Sequence, residues 1–110
     1  MAQSYKVVIT EEAESSLEKI IEYLLYNVSY EAADKVRKGI LESIYSLAEA
    51  PDSNAPANDL NEEKIVYRRI WKWSYRIVFR IVEKELEVLV VQVHHANENP
   101  DKIKKSLGIK

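Results

Sequence analysis

Hydrophobic positions along this chain follow two rhythms. From Glu11 onward, Ala13, Leu17, Ile20, Leu24 and Val28 recur at helical spacing, and Ile21 widens the stripe. Glu14, Glu18, Lys19 and Glu22 fall on the opposite side. That period predicts an α-helix with one buried and one wet face. Thr10 is placed to cap it, and Glu11 and Glu12 sit in the first turn, where the helix dipole favours negative charge. A second helical period runs through Ala33, Val36, Ile40, Ile44 and Leu47, with Ser29 as its cap and Pro51 as its expected end. Gly39 lies inside this helix, at a cost of about 1 kcal/mol relative to alanine. A close helix–helix approach is one reason to keep a glycine there. The connection around Asn27 to Tyr30 is very short, so the two helices are expected to form an antiparallel hairpin.

The other rhythm has period two. Tyr5 to Thr10 predicts a short opening strand, with Val7 and Ile9 on one side and Lys6 and Val8 on the other. Lys64 to His95 then predicts three more strands, Ile65 to Trp73, Tyr75 to Val82 and Leu86 to His95. Breaks at Ser74 and at Glu83-Lys84-Glu85 are too short for crossovers, so these strands are expected to run antiparallel. In the middle one, Tyr75, Ile77, Phe79 and Ile81 share a face suited to the helices, while Arg76, Val78, Arg80 and Val82 share the other. In the first of the three, Arg69 lies with Ile65, Tyr67 and Trp71, and Arg68 with Val66, Ile70 and Lys72. Which of these sets meets the helices is open. The helical cover is expected on one face only, with the arginine-bearing face left open.

Between the helices and this sheet, Asp52 to Asn61, which follows Pro51, has Pro56, asparagines and aspartates but no period, and reads as a loop within one domain. At the other end, Asn99 is a cap, Pro100 suits a first helical position and Gly108 is a stop signal. A short helix from about Pro100 to Leu107, docked by Ile103 and Leu107, is expected.

Composition narrows the function. The chain of 110 residues is read as a single domain spanning 1–110, large enough to bury a core without staples. With no cysteine, disulfides, thiolate catalysis and sulfur-built zinc sites are excluded, which fits a reducing cytoplasm. Met1 to Ser4 lack the basic start and apolar run of a signal peptide, and no apolar run reaches membrane-spanning length. A net charge of −2 gives no global push toward nucleic acid. No cofactor is expected. The two glycines make no phosphate loop, and the adjacent His94 and His95 lack the spacing that converges two imidazoles on a metal.

Order and residues together resemble the RelE/ParE superfamily of bacterial toxins from type II toxin–antitoxin modules. The resemblance covers nearly the whole chain. It rests on Tyr5-Lys6-Val7-Val8-Ile9-Thr10 with Glu12-Ala13, on Ile44 to Pro51, on Arg68-Arg69, on Tyr75-Arg76-Ile77-Val78-Phe79, and on Val91 to His95 with Asn99-Pro100 beyond. It implies an α+β fold, β-α-α-β-β-β(-α), with a helical hairpin packed on one face of a small, mostly antiparallel sheet. It also implies a cytoplasmic toxin of the plasmid-stabilisation type, held by a cognate antitoxin protein in a hetero-oligomer. One branch of the superfamily cuts ribosome-bound mRNA with basic residues and a tyrosine or histidine. The ParE-like branch lacks that set and acts on DNA gyrase. Many relatives end the last strand with histidine, two small residues and Arg-Asn-Pro. Here His95, Ala96, Asn97, Glu98, Asn99 and Pro100 match, except that Glu98 replaces the arginine. A carboxylate there repels a phosphate, which favours the ParE-like reading over ribonuclease chemistry.

The candidate binding residues are Arg68, Arg69, Lys72, Arg76, Arg80, His94, His95 and Glu98. The basic ones suit an acidic antitoxin segment. Should the chain be a ribonuclease, Arg76 and Arg80 would stabilise phosphate charge and His95 would move the proton. Trp71 and Trp73 can stack bases, although large aromatics at such positions are more often core. A toxin that has decayed to antitoxin binding alone is the third reading.

Overall fold

The computed structural model describes residues 4–61 and 64–109. Met1 to Gln3, the start of the stretch read for a leader, lie outside the described residues. The element order is β1 (Lys6–Ile9), α1 (Glu11–Asn27), α2 (Tyr30–Tyr45), β2 (Arg68–Lys72), β3 (Tyr75–Val82), β4 (Glu87–His95) and α3 (Pro100–Ser106). The strands form one sheet in the order β1-β4-β3-β2. β1 lies parallel to β4, while β2, β3 and β4 are joined antiparallel. The helical hairpin carries the chain from β1 across the sheet to β2 at the far edge, and β2 and β3 lead back to β4 beside β1.

The caps are where the sequence places them. Thr10 Oγ1 accepts from the Ala13 N–H at 3.2 Å, and Ser29 Oγ accepts from the Ala32 N–H at 3.0 Å. Ala13, Leu17, Ile21 and Leu24 of α1 and Ala33, Ile40 and Ile44 of α2 are buried. They pack on Ile77, Phe79, Val88, Val90 and Val93 to form the main core. Val28, expected on the buried stripe, is instead the C-cap residue of α1 and is 62% exposed. α2 also stops earlier than Pro51. A 3₁₀ turn over Ser46–Ala48 follows it, and Ala50 turns left-handed at φ 43° before Pro51 begins a second turn.

β2 begins three residues later than the expected Ile65. The chain before it pairs with the loop rather than with β3. The Tyr67 N–H donates to Asn61 Oδ1, its carbonyl accepts from the Ala57 N–H, and the Arg69 N–H donates to the Ala55 carbonyl. Register decides the open face question. Arg68, Ile70 and Lys72 pair with Phe79, Ile77 and Tyr75 on the helical side. Arg69 and Trp71 pair with Val78 and Arg76 on the other.

That other face is not bare. Ala57 and Leu60 from the loop and Ile103 from α3 cover Tyr67 and Val78 as a second small core. The helical hairpin does cover one face, as expected, and the expectation of an open arginine face on the other is corrected. The loop brings Ala57 and Leu60 onto the second face, a signal hidden among its polar residues.

Gly39 answers to an indole, not to the neighbouring helix. A Cβ on Gly39 would lie 2.3 Å from the far edge of the Trp73 ring. Trp73 occupies the first position of a two-residue hairpin loop at φ 52°, where such loops favour glycine.

Candidate functional site: a cleft between the first and last helices

β4 carries an extra residue. Ile77 and Val78 pair with Val93 and Gln92, but Phe79 pairs with Val90, which leaves Val91 in a bulge. The Val93 N–H turns from the ladder to Ser16 Oγ of α1, at 3.1 Å, and Gln92 reaches Ser106 of α3 at 2.7 Å. The bulge thus ties the last part of β4 to a helix on either side. Between these helices lies a cleft of about 550 Å³. Ile20, Val93 and Ile103 supply apolar surface, and Tyr23, Tyr75 and His95 supply aromatic surface.

His95 is half-buried, with its ring edge-on to Tyr75 at 5.4 Å between centroids. Its Nδ1 accepts from the Asn97 N–H at 3.1 Å, so the neutral ring carries its proton on Nε2. Burial raises the Tyr75 phenol above its ordinary value, with the Tyr23 charge adding to it, so Tyr75 remains a donor at neutral pH. Glu12 and Lys19 line the same cleft, as do Glu98 and Lys102, which form an ion pair at 3.2 Å. Glu98 is thus occupied within the chain.

His94 is across the strand from Arg76, on the opposite face from His95. The Arg76 Nε donates to His94 Nε2 at 2.9 Å, and its two terminal nitrogens donate to both oxygens of Asp59, at 2.9 and 3.1 Å. Arg76 and His94 are both buried. Burial, followed by the Arg76 charge, pushes the His94 imidazole down to about 4, so it is neutral at neutral pH. With Nε2 accepting, the proton is on Nδ1, which is buried without a protein partner among the described residues. The guanidinium in turn holds the Asp59 carboxyl below its ordinary value.

The remaining candidates are dispersed. Arg68 donates to the Asn54 carbonyl at 2.7 Å and, with Arg80 and Lys64, borders a smaller hollow of about 270 Å³ that also has Asp52 and Glu83. Arg69 is half-buried on the loop side of β2. Lys72 extends over Trp73, with its ammonium 4.7 Å from the ring centroid. Arg76, Arg80 and His95, grouped above as a conditional ribonuclease set, do not converge. Arg76 and His95 are on opposite faces, and Arg80 is four residues farther along β3 from Arg76. Adjacent strand residues alternate faces, and a β-strand rises about 3.3 Å per residue.

Three participants were not singled out from sequence. Asp59 stands in a loop without periodicity, and nothing local marks it. Tyr23 and Lys19 are i,i+4 neighbours on the wet side of α1, and an aromatic on a charged helical face was the available signal. The cleft offers aromatic and apolar surface with a few fixed donors, a combination that suits binding.

Known structures share this architecture. The chromosomal ParDE toxin–antitoxin system from P. aeruginosa aligns at a TM-score of 0.68 and 18% identity, over 84% of this chain and 96% of that one. The RelBE2 toxin–antitoxin complex from Mycobacterium tuberculosis aligns at 0.56 and 20% identity, over 84% and 92%. A mutant RelE toxin from E. coli in the free state aligns at 0.56 and 14% identity, over 98% and 100%. A search of curated proteins finds no match. The model of the ParE toxin of the type II toxin–antitoxin system parDE matches residues 7–100, from β1 through the cleft to the first residue of α3. On that match the chain belongs to the ParE family, and it is a toxin of a type II toxin–antitoxin system.

Proposed function

We propose that this toxin arrests growth by gripping a protein target of the DNA gyrase class and that a cognate antitoxin neutralises it in the cytoplasm. The cleft between α1 and α3 is the surface we assign to the target. One observation carries the reading: Arg76, a cation that ribonuclease chemistry would need free, is already engaged within the fold. Arg76 is neutralised by Asp59 in a two-point pair, and His94 is buried against it. An anionic substrate would have to displace Asp59 and enter a covered face. His95, the accessible imidazole, shares its cleft with Glu12 and Glu98.

Inducible expression without antitoxin tests this. Growth arrest with loss of DNA supercoiling and intact translated message is the expected result, and purified toxin should inhibit gyrase. Primer extension showing cleavage of translated message would instead establish a ribonuclease. Normal growth at high soluble expression, with tight antitoxin binding, would establish a decayed toxin.

A further inference from the structure

The β2–β3 hairpin tip places a half-exposed indole against two lysines. Trp73 is 49% exposed, and the ammonium groups of Lys72 and Lys35 are 4.7 and 5.6 Å from its ring centroid. Two unfavourable local choices converge on this arrangement. A glycine interrupts α2 where the ring edge approaches, and Trp73 has a left-handed backbone. A side chain held in this way yet left half in water is not explained by core packing. Strain of this kind clusters at functional positions.

The two strands of this hairpin are one-sided in charge along the sequence, and Lys72 and Lys35 are the cations placed at the indole. Between Lys64 and Val82 there are six cations, at 64, 68, 69, 72, 76 and 80, and no acid. Arg76 is paired with Asp59, and Asp34, one residue from Lys35, is paired with Lys38. Lys35 and Lys72 form no ion pair among the described residues. Lys72 is also the cross-strand partner of Tyr75, which lines the main cleft. The lysine pair therefore stands beside that cleft.

We infer that Trp73, Lys35 and Lys72 form a docking point for an acidic segment of the module's own antitoxin. The inference rests on the toxin–antitoxin reading and adds the surface and the chemistry. Carboxylates of that segment meet the two ammoniums, and an apolar group beside them covers the indole. A tryptophan flanked by two ammoniums is a cation–π cluster, and covering its half-exposed ring on binding would strengthen it. A nucleic-acid strand fits less well. The lysines already sit over the ring on which a base would stack, and the net charge of −2 opposes a polyanion.

The test uses the full chain with Trp71→Phe, which leaves Trp73 as the single indole. It is titrated with the purified antitoxin of the same module, by fluorescence and by calorimetry. The expected result is a shift of Trp73 emission on binding. Lys35→Glu with Lys72→Glu should lower affinity at least tenfold and flatten its dependence on salt. Lys84→Glu, in the turn at the far end of the sheet, should leave affinity unchanged. Circular dichroism verifies that the variants remain folded. Tight antitoxin binding with unshifted Trp73 emission and no effect of the double charge reversal would overturn the inference while leaving the toxin–antitoxin reading in place. Absence of binding by the unsubstituted chain would overturn both. An emission shift with a twelve-residue oligothymidylate but none with antitoxin would also overturn it, in favour of a nucleic-acid surface.

Discussion

Arg76 is a buried cation whose contribution to stability depends on its partners. It is buried and bonded at every face of its guanidinium that the described residues reach. Asp59→Asn removes the charge partner and leaves the guanidinium under-compensated. The expected loss is about 1–2 kcal/mol, below that of a fully buried pair because Asp59 keeps half its side chain in water. Urea denaturation at pH 7 measures it. His94 adds a pH term. Its folded value is about 4 and its unfolded value 6.5, so the unfolded chain binds more protons between them. Stability from this group is therefore fully present above pH 6.5 and falls as pH drops through 4, by about 3 kcal/mol in total. Asp59 is depressed below its ordinary 3.8, so its contribution fades at still lower pH. A His94→Gln variant, whose side-chain oxygen can still accept from Arg76, should abolish the slope between pH 6.5 and 4. A series of urea midpoints across that range checks this, and an unchanged slope would assign the acid sensitivity elsewhere.

At the scale of elements, helical period and caps translated directly into α1, α2 and α3, because both are local. The Tyr75–Val82 alternation likewise identified the helical face of β3. What did not translate depended on distant partners. β2 lost its first residues to hydrogen bonds with Asn61 and Ala57. The face assignment of Arg68 and Arg69 required a register that neither strand declares alone. Gly39 was noticed for the right local reason, but its partner Trp73 lies 34 positions later. That pair makes a prediction. Gly39→Ala improves helix propensity by about 1 kcal/mol but drives a methyl into the indole. The two effects oppose, so net stability should change by less than about 1 kcal/mol. The indole must move, and Trp73 emission in a Trp71→Phe background should red-shift. Unshifted emission would mean that the ring is seated by something other than the glycine.

Across the whole molecule, the two sheet faces divide the work. The loop-covered face has its cation, its imidazole and its carboxylate joined to one another, with Arg76 and His94 buried and Asp59 at the water's edge. The helical face ends at a cleft whose aromatics remain reachable, with Tyr23 64% exposed. Strand alternation puts His94 and His95 on opposite faces, yet it does not say which is accessible, since the loop that covers part of the second face has no periodic signature. The division can be tested by comparing stability with toxicity. Arg76→Ala should weaken growth arrest only as far as it unfolds the protein, with a midpoint loss of about 2–4 kcal/mol in urea. Tyr23→Ala and His95→Ala alter the cleft and leave the buried pair intact. Together they should change stability by less than about 1.5 kcal/mol, since both side chains already face water in part. They should nevertheless abolish growth arrest at matched soluble expression. If the cleft variants stay fully toxic while Arg76→Ala loses toxicity without losing stability, the functional face is the covered one, and Asp59 is then a plug that the target displaces.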